Sequence, residues 1–261
     1  MNLLHSLPGT EAHLALEALA YFVGGRVYWV IARDLPRPAD WIDRMALFAG
    51  AVLGAALGSK VLHILEHLPF LMQHGTPALW LGGKSILGGF IGGTLGVELA
   101  KHRVGWVLST GDAWVPALAV GLVIGRMGCQ LSGLWDQTYG IQTSLPWGWD
   151  YGDVIFRHPT ALYEMLLIAL LYFGIRKRWG NYAGARFAAF LAGYCVIRFA
   201  LDFLKPPFGP LAAGTLPTTL MFGLTAIQWT ALAGLAGYAW LFTLRTRHLN
   251  ALCTLQPSDT A

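Results

Sequence analysis

Arginine, carboxylate and tyrosine side chains stand inside apolar runs of this sequence, at spacings suited to binding an anion. In the run GYCVIRFALDFLK, Tyr194, Arg198 and Asp202 recur every four residues, so they share one face of a helix. Arg126 and Glu164 lie inside two other apolar runs. A guanidinium group presents a planar fork of donors that suits phosphate. The Arg–Asp pair alone can be structural, but two buried arginines near carboxylates favour an anionic ligand such as a lipid phosphate.

Further polar residues flank these runs. Cys129 and Gln130 follow the first arginine at helical spacing in VIGRMGCQLSG. In RHPTALYE, Pro159 fits the first position of a helix and His158 precedes it as the cap. Glu164 then lies one to two turns into that helix, either as a counter-ion to the arginines or as a proton acceptor. The sequence contains no Gly-X-Ser-X-Gly elbow and no Cys-X-X-Cys spacing, so neither a serine nucleophile nor a metal is expected.

A lysine lies inside the glycine-rich run LGGKSILGGFIGGTLG. The fragment GKS is typical of the end of a nucleotide-binding P-loop, but Ala78 occupies the place of the first P-loop glycine and no strand context exists. The glycine spacing instead fits tight packing of helices in a bilayer. Lys84 supplies a further point charge for a phosphate, and Glu17 shares a helical face with Tyr21. We therefore assign this run to helix packing and not to a nucleotide site.

The composition identifies an integral membrane protein. Of 261 residues, 55% are hydrophobic and only 12% are charged, whereas charged residues make up about 25% of a soluble domain. The basic residues behind the net charge of +4 lie in short loops, where membrane topology explains them, so nucleic acid is not an expected partner. Three scattered cysteines predict neither a disulfide framework nor a metal site. The first dozen residues lack Lys and Arg, so a cleaved signal peptide is not expected.

The elements that must position these side chains are seven transmembrane helices. Apolar runs near the ~20 residues that a bilayer requires predict helices at 12–32, 45–67, 81–100, 113–133, 160–176, 184–204 and 219–243. The predicted fold is an all-α integral membrane protein, a single seven-helix domain over residues 1–250 with a cytoplasmic tail at 251–261. The glycines leave open whether the third helix spans fully or is re-entrant. The long loop at 136–158 is rich in tryptophan and tyrosine, which predicts a small periplasmic cap between helices 4 and 5, or an aromatic belt.

Basic residues alternate between the loops. The loops after helices 1, 3 and 5 and the C-terminal tail are basic, whereas the opposite loops hold only Arg157 and Lys205. The positive-inside rule then places the N-terminus in the periplasm and the C-terminus in the cytoplasm. Seven charged residues fall toward the external half of the membrane: Glu17, Lys60, Lys84, Arg126, Glu164, Arg198 and Asp202. An ionisable group in hydrocarbon costs about 3 kcal/mol or more, so they predict a polar chamber for a charged headgroup.

Several runs together carry a family resemblance. In chain order, KSILGGFIGG, GRMGCQLSG, RHPTALYE and YCVIRFALDF, with Gln228 after them, resemble the bacterial prolipoprotein diacylglyceryl transferase family over essentially the whole chain. Members of that family take the diacylglyceryl group from phosphatidylglycerol, attach it to the thiol of a lipoprotein signal peptide and release glycerol phosphate. The resemblance implies a transferase of the bacterial inner membrane that acts without a cofactor. Its implied partners are phosphatidylglycerol or another anionic phospholipid and a lipoprotein precursor.

The resemblance also implies residue roles. Arg126 matches an essential arginine that binds lipid phosphate, and Arg198 matches a second essential arginine. Glu164 matches the glutamate of the HPxxLYE box, whereas Tyr194 and Asp202 match the companions of the second arginine. The expected catalytic residues are therefore Arg126, Arg198, Glu164 and Asp202. The expected substrate-binding residues are Tyr194, Glu17, Lys84, Cys129, Gln130, His158, Gly88 and Gly89.

The sequence departs from the family where the acceptor would be activated. Leu87 occupies the place of a histidine often proposed as the base, and Cys129 replaces an asparagine. Leu134 replaces a glutamate, and Glu17 stands where a tyrosine is expected. Three carboxylates are candidates for the base instead: Asp136, Glu17 and Glu164. A non-catalytic protein that binds or shuttles an anionic lipid is the alternative function. A channel is disfavoured because the charges cluster in one half of the membrane.

Overall fold

The chain folds mainly into helices, as the sequence predicts. The computed structural model describes residues 9–180, 182–206, 218 and 220–253. The described α-helices are α1 Gly9–Ala32, α2 Trp41–His74, α3 Pro77–Gly82, α4 Ile86–Val104, α5 Trp114–Leu131, α6 Thr160–Ile175, α7 Ala185–Asp202 and α8 Ala226–Cys253. A 3-10 helix, Gly133–Trp135, follows α5. Two antiparallel hairpins pair β1 Trp149–Asp150 with β2 Phe156–Arg157, and β3 Leu220–Met221 with β4 Leu224–Thr225.

Three segments of the described helices are long and apolar enough to cross a membrane, namely Glu11–Ala32, Trp41–His74 and Trp114–Leu131. Helix α6 is apolar but shorter, and the 18 residues of α7 carry three formal charges. Large apolar side chains cover the outside of α1 and α2, for example Phe22 and Leu57. An apolar exterior of this kind suits contact with lipid tails and identifies a membrane protein.

The predicted third helix at 81–100 is interrupted. The structure has the short α3, a turn-length connection that contains Lys84, and then α4, which begins after its N-cap Ser85. The Lys60 ammonium of α2 donates to the carbonyl of Gly83 at 2.7 Å, so the cation holds the connection against α2. Lys84 therefore lies between two helices and not within one.

Helix α2 extends seven residues past its predicted end at 67, because the chain is kinked at this point and the helix continues to His74. His67 has the non-helical angles φ −118° and ψ 15°. Pro69, two residues later, lacks a backbone N–H and its ring clashes with the preceding turn, which bends a helix without ending it.

The last predicted helix, at 219–243, is displaced along the chain. Residues 220–225 form the β3–β4 hairpin, and α8 runs from Ala226 to Cys253. The first residues of the predicted tail are thus helical, and residues 254–261 of that tail lie outside the described part of the chain.

Glycines set the distance between α2 and α4. A Cβ atom on Gly54 would overlap the Gly92 carbonyl oxygen, and one on Gly58 would overlap the Gly88 carbonyl oxygen. The two backbones therefore touch, as small residues allow in membranes. Helix α1 packs on α5, and α6 and α8 pack on α5 and α7 respectively. This arrangement assigns the glycine-rich run to helix packing.

The segment at 136–158 folds as an ordered unit at one end of the bundle. Its β1–β2 hairpin is closed by Arg157, which donates to both oxygens of Asp153 at 2.7 Å. This guanidinium holds the pKa of the Asp153 carboxyl below its usual range. The Ile141 N–H donates to the Leu204 carbonyl at 2.7 Å, which ties the segment to the end of α7.

Candidate active site

Glu164 of α6 joins two arginines from neighbouring helices. Its Oε1 atom accepts from Arg126 Nη2 of α5 and from the Tyr194 hydroxyl of α7, each at 3.0 Å. Its Oε2 atom accepts from Arg198 Nη1 of α7 at 3.0 Å. The glutamate is 2% exposed, so the charges compensate one another away from water. Of the two roles left open by the sequence, the geometry favours the counter-ion.

Asp202 extends the network to the start of α8. Its Oδ1 atom lies 3.8 Å from Arg198 Nη2, and its Oδ2 atom accepts from the Thr225 hydroxyl at 2.5 Å. Thr225 also accepts from the backbone N–H of Gln228, while the Gln228 side chain accepts from the backbone N–H of Thr225. This reciprocal pair is a capping box. Gln228, which carried part of the family resemblance, thereby fixes the start of α8, where Thr225 donates to Asp202.

One cavity of about 180 Å³ exposes both arginines of this network. The ionisable residues in its wall are His63, Glu66, His67, Lys84, Arg126, Arg198 and Lys205. Leu87, where the resemblance predicts a histidine, is also in the wall and is 2% exposed. The structure thus brings the two predicted arginines into a shared polar chamber, where guanidinium donors from two helices converge.

Three residues of α2 in the cavity wall were missed by sequence reasoning. His63, Glu66 and His67 lie at helical spacing that places them on one face, which is the signal that would have found them. Glu66 is 6% exposed, and its Oε2 atom accepts from the Ile227 N–H at 3.0 Å. A carboxylate at the N-terminus of α8 complements the positive end of that helix.

Lys205, just beyond α7, is a further cation in the cavity wall. Burial, with the positive charges of Arg198 and Arg126, lowers its pKa to about 8. Sequence reasoning used this lysine only for topology, because its position in a loop gave no indication that it faces the arginines.

Glu17 and Lys84 form an ion pair with each other. Lys84 Nζ lies 2.9 Å from Glu17 Oε1, and the Tyr21 hydroxyl donates to the same oxygen at 3.1 Å. The lysine lines the cavity, whereas the glutamate reaches toward His13, 3.7 Å away. The pair therefore connects α1 to the start of α4 beside the chamber.

Other predicted substrate-binding residues make contacts outside the cavity wall. Gly88 packs against α2, and Gly89 faces the same helix. Buried Gln130 accepts from the Tyr151 hydroxyl at 3.1 Å, within the contact between α5 and the 136–158 segment. Cys129 receives a weak 3.7 Å hydrogen bond from Arg126 Nη1.

His158 was predicted to cap the helix that carries Glu164, and this was wrong. Pro159 is itself the N-cap, with ψ 72°, and α6 begins at Thr160. The His158 ring instead lies 3.3 Å from the Tyr163 hydroxyl, to which Trp147 also donates. A proline can serve as the cap because the N-cap residue needs no helical N–H.

Comparison with known proteins agrees with this geometry. Residues 12–244 match the family model of prolipoprotein diacylglyceryl transferase. The chain belongs to this family. A phosphatidylglycerol–prolipoprotein diacylglyceryl transferase of Aromatoleum aromaticum is 33% identical over 243 residues, which cover 87% of each chain. Proteins of the same name from Geobacter sulfurreducens and Bordetella avium are 34% and 32% identical, covering 79% and 90% of this chain and 84% and 88% of their own. The resemblance predicted from the sequence is therefore confirmed.

The cavity wall is apolar at Leu87, where the sequence resemblance predicts a histidine. The arginine–glutamate network of the matched motifs is intact, and an aliphatic side chain occupies the place of the expected histidine. The geometry supports recognition of an anion and leaves activation of an acceptor to other groups.

Proposed function

We propose that this chain transfers the diacylglyceryl group of phosphatidylglycerol to a thiol acceptor in the bacterial inner membrane. Relatives that this chain matches over most of their length are named for that activity. The observation that carries the proposal is the pair Arg126 and Arg198, held by one carboxylate and facing one cavity. A lipoprotein precursor is the acceptor that the relatives' names supply.

The arginines keep donors available for a phosphate. Arg126 Nε is buried and has no hydrogen-bond partner among the described residues. Glu164 takes one N–H from each guanidinium, which fixes both forks without using all five donors of either. Lys205 adds a positive charge at the same wall. A phosphate in this cavity would therefore meet donors that are oriented before it arrives.

The reaction needs no nucleophile from the protein. The acceptor sulfur forms the S–C bond to the glyceryl carbon, the C–O bond to the phosphate breaks, and its electron pair leaves with glycerol phosphate. The thiolate is the reactive form of the acceptor. Arg126 and Arg198 would stabilise the negative charge on the departing phosphate, where charge develops in the transition state.

We infer that every described α-helix except the six-residue α3 spans the bilayer, which gives seven spans. Seven spans place the two ends of the chain on opposite sides of the membrane. The basic loops support a cytoplasmic C-terminus, which puts the 136–158 segment over the cavity on the periplasmic side. Phosphatidylglycerol of the outer leaflet then reaches the arginines directly.

The test is a transfer assay in proteoliposomes with labelled phosphatidylglycerol and a cysteine-containing signal peptide. Arg126→Ala is expected to lower the transfer rate at least a hundredfold, which matches the loss of an oriented transition-state donor. Arg103→Ala, on the exposed last turn of α4, is the control and should transfer at the wild-type rate. Equal rates for both variants would remove the proposed role of Arg126.

Leu87 supports a second candidate, non-catalytic binding of an anionic phospholipid. An aliphatic side chain in the cavity wall cannot accept the proton of an acceptor. This candidate predicts phosphatidylglycerol bound to the purified protein without any modified peptide in the mass spectrum. Appearance of diacylglyceryl peptide would exclude it.

A further inference from the structure

A histidine, a cysteine and an aspartate from three segments meet beside the arginine network. His13 Nδ1 of α1, Cys129 Sγ of α5 and an Asp136 carboxylate oxygen lie within 4.8 Å of one another. The His13 Nδ1–Asp136 Oδ1 distance is 3.2 Å. We propose that these three side chains bind a divalent transition-metal ion of the Zn²⁺ class. A thiolate, an imidazole and a carboxylate form a ligand set of that class.

The geometry is close to that of a coordinated ion. Zn²⁺ bonds of about 2.0–2.3 Å in a tetrahedron put ligand atoms about 3.3–3.8 Å apart. The histidine–aspartate pair is already at that separation, and the sulfur needs to approach by about 1 Å. Cys129 sits on α5, which packs against α1, the helix that carries His13.

Each proposed ligand has a polar neighbour outside the cluster, and those of the aspartate and the cysteine are hydrogen-bonded to it. Glu17 Oε2 lies 3.7 Å from His13 Nε2, on the far side of the imidazole from Nδ1. The Thr138 hydroxyl donates to Asp136 Oδ2 at 2.6 Å and leaves Oδ1 directed at the histidine. Arg126 Nη1 donates to the cysteine sulfur. Outer partners of this kind set tautomer and ring direction at metal centres.

Charge and access also fit. The thiolate and the carboxylate carry two negative charges, which equal the charge of the ion. The side chains of His13 and Asp136 are 21% and 11% exposed, so solvent reaches the cluster. Three protein ligands leave a fourth position open, the pattern of zinc sites that bind a reactant.

The open position suits the acceptor sulfur, a step that rests on the proposed transfer function. A thiol that coordinates Zn²⁺ loses its proton, here to water, and remains a thiolate. The sulfur then forms the S–C bond while the C–O bond to the lipid phosphate breaks, and glycerol phosphate leaves with that electron pair. The ion would thus supply the acceptor activation for which Leu87 offers no base.

The site itself is tested by cobalt binding to the purified, chelator-treated protein in detergent. Co²⁺ titration is expected to produce a near-ultraviolet sulfur-to-cobalt charge-transfer band that saturates at one ion per chain. Cys129→Ser should abolish the band, and Cys195→Ser, a buried cysteine of α7, should leave it unchanged. Absence of the band from the wild type, or its persistence in Cys129→Ser, overturns the site.

Asp136→Asn distinguishes a loss of metal binding from a folding defect that Cys129→Ser could cause. This substitution keeps the sulfur and the side-chain shape, and it is expected to lower Co²⁺ affinity at least tenfold with an unchanged helical circular-dichroism spectrum. Unchanged affinity would show a hydrogen-bonded cluster without a metal and would overturn the site.

The acceptor step is tested separately from transfer. Adding a cysteine-containing signal peptide to the Co²⁺ protein, without lipid, should strengthen the charge-transfer band as a second sulfur binds. The same peptide with serine should not change it. A flat response to the cysteine peptide overturns the acceptor role. Neither measurement requires lipid transfer. Failure of the metal site is therefore distinguishable from failure of the proposed function, which the proteoliposome assay measures.

Discussion

Glu164 is the residue on which the geometry of the arginine pair depends. One carboxylate takes a guanidinium on each oxygen and also accepts from Tyr194. Removing one member of such a buried group leaves charges uncompensated, which is much more costly than an exposed ion pair. The residue therefore couples α5, α6 and α7 while it orients donors toward the cavity.

Glu164→Gln is expected to lower the free energy of unfolding by about 3–5 kcal/mol, because two buried guanidinium groups lose their counter-ion. Thermal unfolding in detergent measures this, with exposed Glu11→Gln in the first turn of α1 as the control. Added phosphatidylglycerol should stabilise the Glu164 variant more than the wild type, since its phosphate replaces the missing charge. Equal unfolding temperatures for the two variants would contradict the counter-ion role.

Lys205 gives lipid binding a dependence on pH. Its pKa of about 8 means that the ammonium is charged at neutral pH and loses its proton as the pH rises. Phosphatidylglycerol affinity should therefore fall above pH 8, by up to about tenfold per pH unit. The charged groups that share its surroundings are Arg198, Arg126, Glu164 and Asp202.

Lys205→Arg is the matched variant for this measurement. Its guanidinium stays protonated over the whole range, so its affinity for short-chain phosphatidylglycerol should be constant from pH 7 to about 9. If the affinity for phosphatidylglycerol fell equally with pH in the wild type and in the variant, a group other than Lys205 would be the one that titrates.

At the scale of elements, the contact between α2 and α4 keeps the cavity wall in place. Glycines of each helix lie against backbone carbonyls of the other. This contact holds α4, whose first turn contains Leu87 and which Lys84 precedes. A side chain at this contact has no space, because the blocking atoms belong to the backbone and cannot rotate away.

Gly54→Ala is expected to destabilise the protein by about 1–3 kcal/mol, the usual cost of overpacking. Its Cβ would overlap the Gly92 carbonyl oxygen. Gly25→Ala in α1 is the control, because a Cβ there meets nothing within 4 Å. Thermal unfolding in detergent compares the two, and equal stability would show that the helices separate without penalty.

For the whole molecule, the proposed orientation places the 136–158 hairpin on the periplasmic face. Val154 at its tip is 82% exposed, and His102 lies exposed on the last turn of α4 at the opposite end of the membrane. Cys129 and Cys195 are buried, and the chain without an introduced cysteine gives the background labelling.

Cysteine labelling in intact cells tests the orientation. In a Cys253→Ser background, Val154→Cys should react with a membrane-impermeant maleimide. His102→Cys should react only after the membrane is permeabilised. The reverse labelling pattern would show that the topology is the opposite of the one proposed and that the cavity lies in the cytoplasmic leaflet.

Local patterns in the sequence were sufficient for the helical character, the arginine pair and the family. Hydropathy and helical spacing depend on residues a few positions apart, so the spacing of Tyr194, Arg198 and Asp202 alone placed them on one face. The same patterns misplaced the third and last helices. The errors arose where Lys60 holds a break in one helix and where a short hairpin precedes the other.

Only the tertiary structure decided which of these faces meet. Glu164 could have balanced either arginine, and it binds both because α6 lies beside α5 and α7. His13, Cys129 and Asp136 carry no spacing signal, since the packing of α1 on α5 and the turn after α5 bring them together. Periodicity fixes rotation within a helix, whereas contacts between helices depend on their mutual rotation and distance, which close packing determines.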